Sequence, residues 1–210
     1  MTENTEVKHN EAQSLDGTVS IKTFVTGPIK NNVYLIYKDS VGIVVDASGA
    51  FPVISSFCAK NGIKVEAVLI THNHFDHVAD VDRWRAMGAK VYMSIADIDM
   101  PRGTKNVDKS VKDGEELDIK GIKVKVIATP GHSKGGVCYL VGNHLFSGDT
   151  LFCDSYGRTD LHGGDFNVLK KSICEKLFAL PPETEVYPGH EHHTSIGKER
   201  TRNPILVDTE

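Results

Sequence analysis

Between Leu69 and Val81 the chain reads LITHNHFDHVADV, which packs His72, His74, Asp76 and His77 into six residues. Imidazole and carboxylate groups at this density have the type and spacing of metal ligands. A loop whose histidines merely cap backbone groups is the plainer reading for one histidine, but not for three with an aspartate. In extended chain, residues two apart share a face, whereas on a helix they point nearly opposite ways. His72 and His74 can therefore hold one ion only where the backbone is extended or looping. The preceding AVLIT has the signature of a buried strand, and a helical pattern starts after Asp76. The cluster thus sits where a strand hands over to a helix, a usual place for sites in α/β sheets. His77, of opposite parity, must face elsewhere or turn with the helix start, a geometry that suits two ions better than one.

Further donors must come from a distance. ATPGHS supplies His132, LFSGDT supplies Asp149 and VYPGH supplies His190, each directly after a strand-like run. Singly, Gly-His and Gly-Asp pairs are ordinary turn chemistry. Together they complete seven donors. One ion would take His72, His74 and His132, the other Asp76, His77 and His190, with Asp149 bridging. Paired ions about 3.5–4 Å apart activate water and polarise a carbonyl or phosphoryl oxygen. Asp76 and Asp149 would then position the activated water, and no side-chain nucleophile is required. A thiolate-free donor set suits two divalent metal ions, zinc first, with iron or manganese as alternatives.

The elements that must position these residues are legible as well. Strands are expected at VSIKTFV, NVYLIY, VGIVVD, EAVLI and KVYMS, then at ELDI, IKVKVIAT, GVCYLV, HLFSGD and EVYPG. Helices are expected at PVISSFCAKNG with a Gly stop and at HVADVDRWRAMG with Val78, Val81 and Met87 inward. DFNVLKKSICEKLFAL should form another, capped by Asp165 and burying Phe166, Leu169, Ile173 and Leu177. A last basic helix, IGKERTRNP, would end at Pro204, and residues 97–114 read as a long polar connection. Two mixed β-sheets packed face to face, with helices outside, would bury such strands in an α/β fold.

At 210 residues and 40% apolar content, one domain is expected over residues 18–210, after a polar, disordered leader at 1–17. A net charge of −4 gives no electrostatic footprint for nucleic acid or acidic membranes. The leader has no apolar core of a signal peptide, so a cytoplasmic location is expected. Cys58, Cys138, Cys153 and Cys174 form no CxxC pair and read as free thiols.

THNHFDH, TPGHS, SGDT and PGH, in this order and spacing, resemble the metallo-β-lactamase superfamily, whose hallmark is H-x-H-x-D-H with those downstream ligands. The resemblance runs from about Ser20 to Pro204. It implies an αββα sandwich with the metal site at one edge. GDTLF, GRTDLHGGD and IGKERTRNP most resemble short glyoxalase II-like (hydroxyacylglutathione hydrolase-like) enzymes. That implies a thioesterase cleaving S-acyl glutathione, such as the S-lactoyl derivative, or a similar small thioester. Arg158 stands in the loop where such relatives place a basic residue near the thiol carrier, and would anchor a substrate carboxylate; an Arg158–Asp160 pair that only fixes the loop is the alternative. Asp46, after GIVV, resembles a residue that orients a histidine ligand, with a plain strand-end turn as its alternative. Lys198, Arg200 and Arg202 would grip glutathione or merely complement a helix end. His144, His162, His192 and His193 match no ligand position. Rival readings are a persulfide dioxygenase with one iron on His72, His132 and Asp149, a lactonase or phosphodiesterase on the same scaffold, and an inert metal-binding protein. The expected partner is a small-molecule thioester, with the chain a monomer or small homo-oligomer.

Overall fold

The computed structural model describes residues 8–13 and 19–209. The first sheet takes its strands in chain order: β1 (Lys8–Gln13), β2 (Ser20–Thr26), β3 (Asn31–Lys38), β4 (Val41–Val45), β5 (Lys64–Leu69), β6 (Lys90–Met93) and β7 (Lys109–Ser110). Pairing is antiparallel from β1 to β4 and parallel from β4 to β7. The second sheet contains β8 (Glu116–Ile119), β9 (Ile122–Ala128), β10 (Val137–Val141) and β11 (His144–Gly148). A separate hairpin, β12 (Leu151–Phe152) and β13 (Ser155–Tyr156), precedes its last two strands, β14 (Glu185–Pro188) and β15 (Thr194–Ser195). Its order is β15-β14-β11-β10-β9-β8, with β11 and β14 parallel.

Every strand expected from the sequence is present. Their near-continuous apolar runs reflect burial on both faces, and the period of two sorts the side chains. Tyr34 and Ile36 of β3 enter the core between the sheets, while Val33 and Leu35 face the outer layer. Tyr139, Phe146 and Tyr187 enter the same central core from the second sheet, and Cys138, Leu145 and Val186 face away from it.

Helices close both outer faces. α1 (Phe51–Asn61) and, after the short α2 (Phe75–Val78), α3 (Val81–Ala86) cover the first sheet through Ile54, Cys58, Val81 and Trp84. α4 (Phe166–Lys171) and α5 (Ile196–Arg202) cover the second through Phe166, Leu169 and Ile196. The result is the two-sheet sandwich flanked by helices that the sequence predicts. Each fully buried large apolar side chain contributes roughly 1.5–3 kcal/mol. The three apolar clusters contain none of the seven candidate ligands. The sandwich therefore supplies the scaffold and leaves its edge to chemistry.

Four expectations change. Lys8–Gln13, inside the expected disordered leader, is a strand paired with β2; the leader's other residues lie outside the described residues. HVADVDRWRAMG is two short helices rather than one. The Asp80 carboxylate accepts from Phe51 N at 3.1 Å and from Arg83 Nη1 at 3.2 Å, and its own N–H donates to Ala47 O, which interrupts the helix between Val78 and Val81. Val78 and Val81 are buried as expected, but Trp84 takes the inward place expected of Met87, which is exposed. The stretch after α4 winds as a π-helix over Ser172–Leu177, still burying Ile173 and Leu177. Gly62 stops α1 as expected, with a left-handed φ of 66° and its N–H bonded to Cys58 O.

Candidate metal centre

The seven residues singled out by spacing gather at the C-terminal ends of β5, β9, β11 and β14. His72 and His74 follow β5 in non-helical chain, and α2 begins directly after His74, whose φ and ψ of −70° and 148° are extended. One turn of α2 then brings His77 back beside His72, with ring centroids 4.1 Å apart. His132 follows β9, Asp149 follows β11, and His190 follows β14.

Hydrogen bonds from the two sheets fix these strand ends. Tyr139 Oη donates to Ile70 O at 3.0 Å, and Val137 N to Thr71 O at 2.8 Å, pinning the chain before His72. Tyr34 Oη donates to Pro188 O at 2.5 Å, and Asn32 bonds Pro188, Gly189 and Glu191, pinning the chain around His190. Gly189 is required by close approach: a Cβ there would collide with Asp149 Oδ1 and His77 Cε1.

Donor atoms fall into overlapping triplets, each within 4.8 Å: His72, His74 and His132; His72, His77 and Asp149; Asp76, His77 and His190. His132 Nε2 lies 3.0 Å from His74 Nδ1. Asp149 sits between the groups, with Oδ2 3.7 Å from His132 Nε2 and 3.6 Å from His190 Nε2, and Oδ1 3.5 Å from His77 Nε2. Asp76 Oδ2 is 3.6 Å from His77 Nε2 and 3.5 Å from His190 Nε2.

The opposite edges of the rings are tied back. His77 Nδ1 is 3.0 Å from Asp46 Oδ2, and His72 Nδ1 is 3.1 Å from Thr71 Oγ1, which itself donates to Asp46 at 2.8 Å. His132 Nδ1 donates to Arg158 O at 2.7 Å, and His190 Nδ1 to Ile29 O at 3.1 Å. These partners take up Nδ1 on all four rings and leave Nε2 aimed inward. Asn31 Nδ2 donates to Asp76 Oδ2 at 3.0 Å.

Charge states follow from this packing. Burial pushes His72 well below the ordinary imidazole range, reinforced by the neighbouring histidines, and burial and His132 lower His74 likewise. Both are held neutral, the ligating form. Burial raises the Asp76 carboxyl, but bonds from His190 and Asn31 and the charge of His77 outweigh it, leaving it below the usual carboxylate range. Burial opposes a charge on His77, yet the carboxylates of Asp149, Asp46 and Asp76 push it up to about 9. His190, despite burial, is raised by Asp76 and Asp149.

The donor set fits cations on its own geometry. His72 Nε2, His77 Nε2 and Asp149 Oδ1 are buried with no hydrogen-bond partner among the described residues. An orphaned buried polar atom costs about 1–3 kcal/mol. Three such atoms directed at one region, beside the carboxylates of Asp76 and Asp149, are what a pair of divalent ions would relieve.

Other expectations sort as follows. Asp46 is placed as an orienting residue would be, bonded to His77 Nδ1 and to Thr71. Arg158 lines the cavity, but its guanidinium is turned onto Asp160 in two bonds of 2.7 and 2.6 Å, the loop-fixing alternative. Lys198 and Arg202 fold onto Asp154 at 3.1 and 2.9 Å. The Lys198 ammonium, also 2.9 Å from Cys153 Sγ, thus occupies the fourth acidic cluster, Cys153, Asp154 and Glu199. Sequence reasoning missed Thr71, Asn31 and Asp97. Buried Asp97 accepts from Ser133 Oγ and Gly135 N at 2.6 Å and from Asn73 N at 3.3 Å, clamping the His132 loop to the His72–His74 loop. It lies at the start of the segment read as a polar connection, where nothing in the spacing marks it.

The model of the metallo-beta-lactamase superfamily matches residues 26–190. The chain is 34% identical over 198 residues to "Probable metallo-hydrolase YqgX" of Bacillus subtilis, covering 86% of this chain and 94% of that relative. It is 35% identical over 174 residues to a hydroxyacylglutathione hydrolase of Francisella tularensis subsp. novicida, covering 80% of this chain and 66% of the relative. Among solved structures it is similar to the BLEG-1 B3 metallo-beta-lactamase, with a TM-score of 0.81 and 34% identity over 90% of this chain and 100% of that one. It is also similar to TTHA1623 in a di-iron-bound form, with a TM-score of 0.77 and 32% identity over 87% and 98% of the two chains. The chain belongs to the metallo-beta-lactamase superfamily and is a metallo-hydrolase of that fold.

Proposed function

We propose that this chain is a binuclear thioesterase of glyoxalase II-like type, cleaving an S-acyl derivative of glutathione or another small thiol. The carrying observation is the sharing of Asp149 between two sets of inward-facing donors, with orphaned buried atoms in both. His72, His74 and His132 would hold one divalent ion, Asp76, His77 and His190 the other, and Asp149 would touch both. The similarity to a hydroxyacylglutathione hydrolase supports the reaction class, and the similarity to a protein with a di-iron form supports two ions and leaves iron beside zinc and manganese.

When bound, such ions supply a water acidic enough to attack at neutral pH and polarise the carbonyl. The chain's own residues do the rest. Asp149 and Asp76 accept hydrogen bonds from and orient the attacking water. Asn31 holds Asp76, and Asp46 holds His77 and, through Thr71, His72, so the donors need little rearrangement. A departing thiolate, with an ordinary pKa of about 8.5, needs no acid from the protein.

The partner in this reading is a small molecule rather than nucleic acid or membrane, and the chain acts as a monomer or small homo-oligomer. No helix among the described residues is long and apolar enough to cross a membrane. Four free cysteines suit the reducing cytoplasm. The test is thiol release from S-lactoylglutathione and related thioesters by protein reconstituted with zinc, manganese or iron. Metal-dependent release is expected. Dioxygen consumption with a persulfide substrate, and no thiol release, would move the chain to the oxidoreductases.

A further inference from the structure

The candidate ligands open onto a cavity of about 610 Å³. Ile29, Phe75, Phe152, Tyr156 and Leu161 line it beside them. Three of them are exposed large apolar side chains gathered on this one cavity: Ile29 at 52%, Phe75 at 47% and Leu161 at 40%. Apolar surface gathered around a few convergent polar groups marks a ligand site rather than chance exposure. The placement is tied to the metal loops. Phe75 lies between His74 and Asp76, the Ile29 carbonyl accepts from His190, and Phe152 stacks edge-on to His190 with ring centroids 6.2 Å apart.

Charge in the lining points the same way. Its one arginine, Arg158, is neutralised by Asp160, and Glu191 adds a carboxylate at the rim. The Tyr156 hydroxyl is committed to Asp208 at 2.6 Å. Arg102, stacked on the Phe75 ring at 4.5 Å, lies outside the lining. Glutathione carries two carboxylates, and this wall offers them no unpaired cation. Biological thiol carriers generally bear carboxylates or phosphates, so the apolar end of a thioester is its acyl chain. Resting on the thioesterase reading, we infer that this cavity selects thioesters with an uncharged, apolar acyl chain of several carbons, in preference to S-lactoylglutathione. Ile29, Phe75 and Leu161 are its specificity-determining residues.

The test is a series of acetyl, butanoyl and hexanoyl thioesters of N-acetylcysteamine, set against S-lactoylglutathione, with the metal-loaded full chain. The proposal expects kcat/KM to rise about 3–4-fold per methylene until the cavity is filled. Leu161→Ser should lower the hexanoyl-to-acetyl ratio by ~10-fold. Calorimetry with non-hydrolysable S-ethyl and S-hexyl thioethers of N-acetylcysteamine gives a second readout: the longer should bind more tightly, with a negative heat-capacity change. A flat or falling series with S-lactoylglutathione preferred overturns the acyl-chain proposal and leaves the thioesterase reading intact. Hydrolysis of no thioester at all overturns that reading and this proposal with it.

Discussion

Four of the five imidazoles at the centre are held from behind before they can act in front. Asp46 carries the largest share, because one carboxylate receives His77 Nδ1, Thr71 Oγ1 and Thr71 N. Losing such a partner typically weakens metal affinity about 10–100-fold. Asp46→Asn, which tolerates the left-handed φ of 54° at this position, should show that loss in competition with a chelating indicator while the fold persists. Unchanged affinity would contradict the orienting role. The clustering of the candidate ligands was legible because four crowd into one short motif and three follow strand ends. Thr71, Asn31 and Asp97 were not: a lone threonine, asparagine or aspartate in a loop is ordinary turn chemistry until the fold shows what it touches. Arg158 carried two readings in sequence, and only the position of Asp160 separates them.

The elements act by bringing loops from both sheets to one edge. Asp97 joins two of those loops, which come from different sheets. Asp97→Ala would leave Ser133 Oγ and the N–H groups of Gly135 and Asn73 without their acceptor, costing roughly 3 kcal/mol in urea unfolding and weakening metal binding. A change below about 0.5 kcal/mol, with metal affinity intact, would show that the clamp is dispensable. At this scale the long, buried strands and the stripe of α4 could be read directly, because apolar runs and helical periodicity are strong signals. β7, β12, β13 and β15 are two residues long, too short to show alternation, and β1 is a polar edge strand. The break between α2 and α3 depends on the Asp80 side chain meeting α1, a tertiary contact that local pattern does not encode.

For the whole molecule, the apolar clusters and the candidate ligands are separate, so stability and metal loading should be separable. Ions present at a hundredfold over their Kd add about 2.7 kcal/mol per site. Removing both ions by chelation should therefore lower Tm by about 10–20 °C while cooperative unfolding remains. A chelated protein that is already unfolded, or one with an unchanged Tm, would contradict that separation. The most direct measurement takes metal content and thioester turnover from the same reconstituted sample, for wild type and Asp149→Ala. The binuclear thioesterase predicts two ions per chain with metal-dependent thiol release in the wild type, and fewer ions with turnover at background in the variant. Full metal content and undiminished turnover in Asp149→Ala would contradict it.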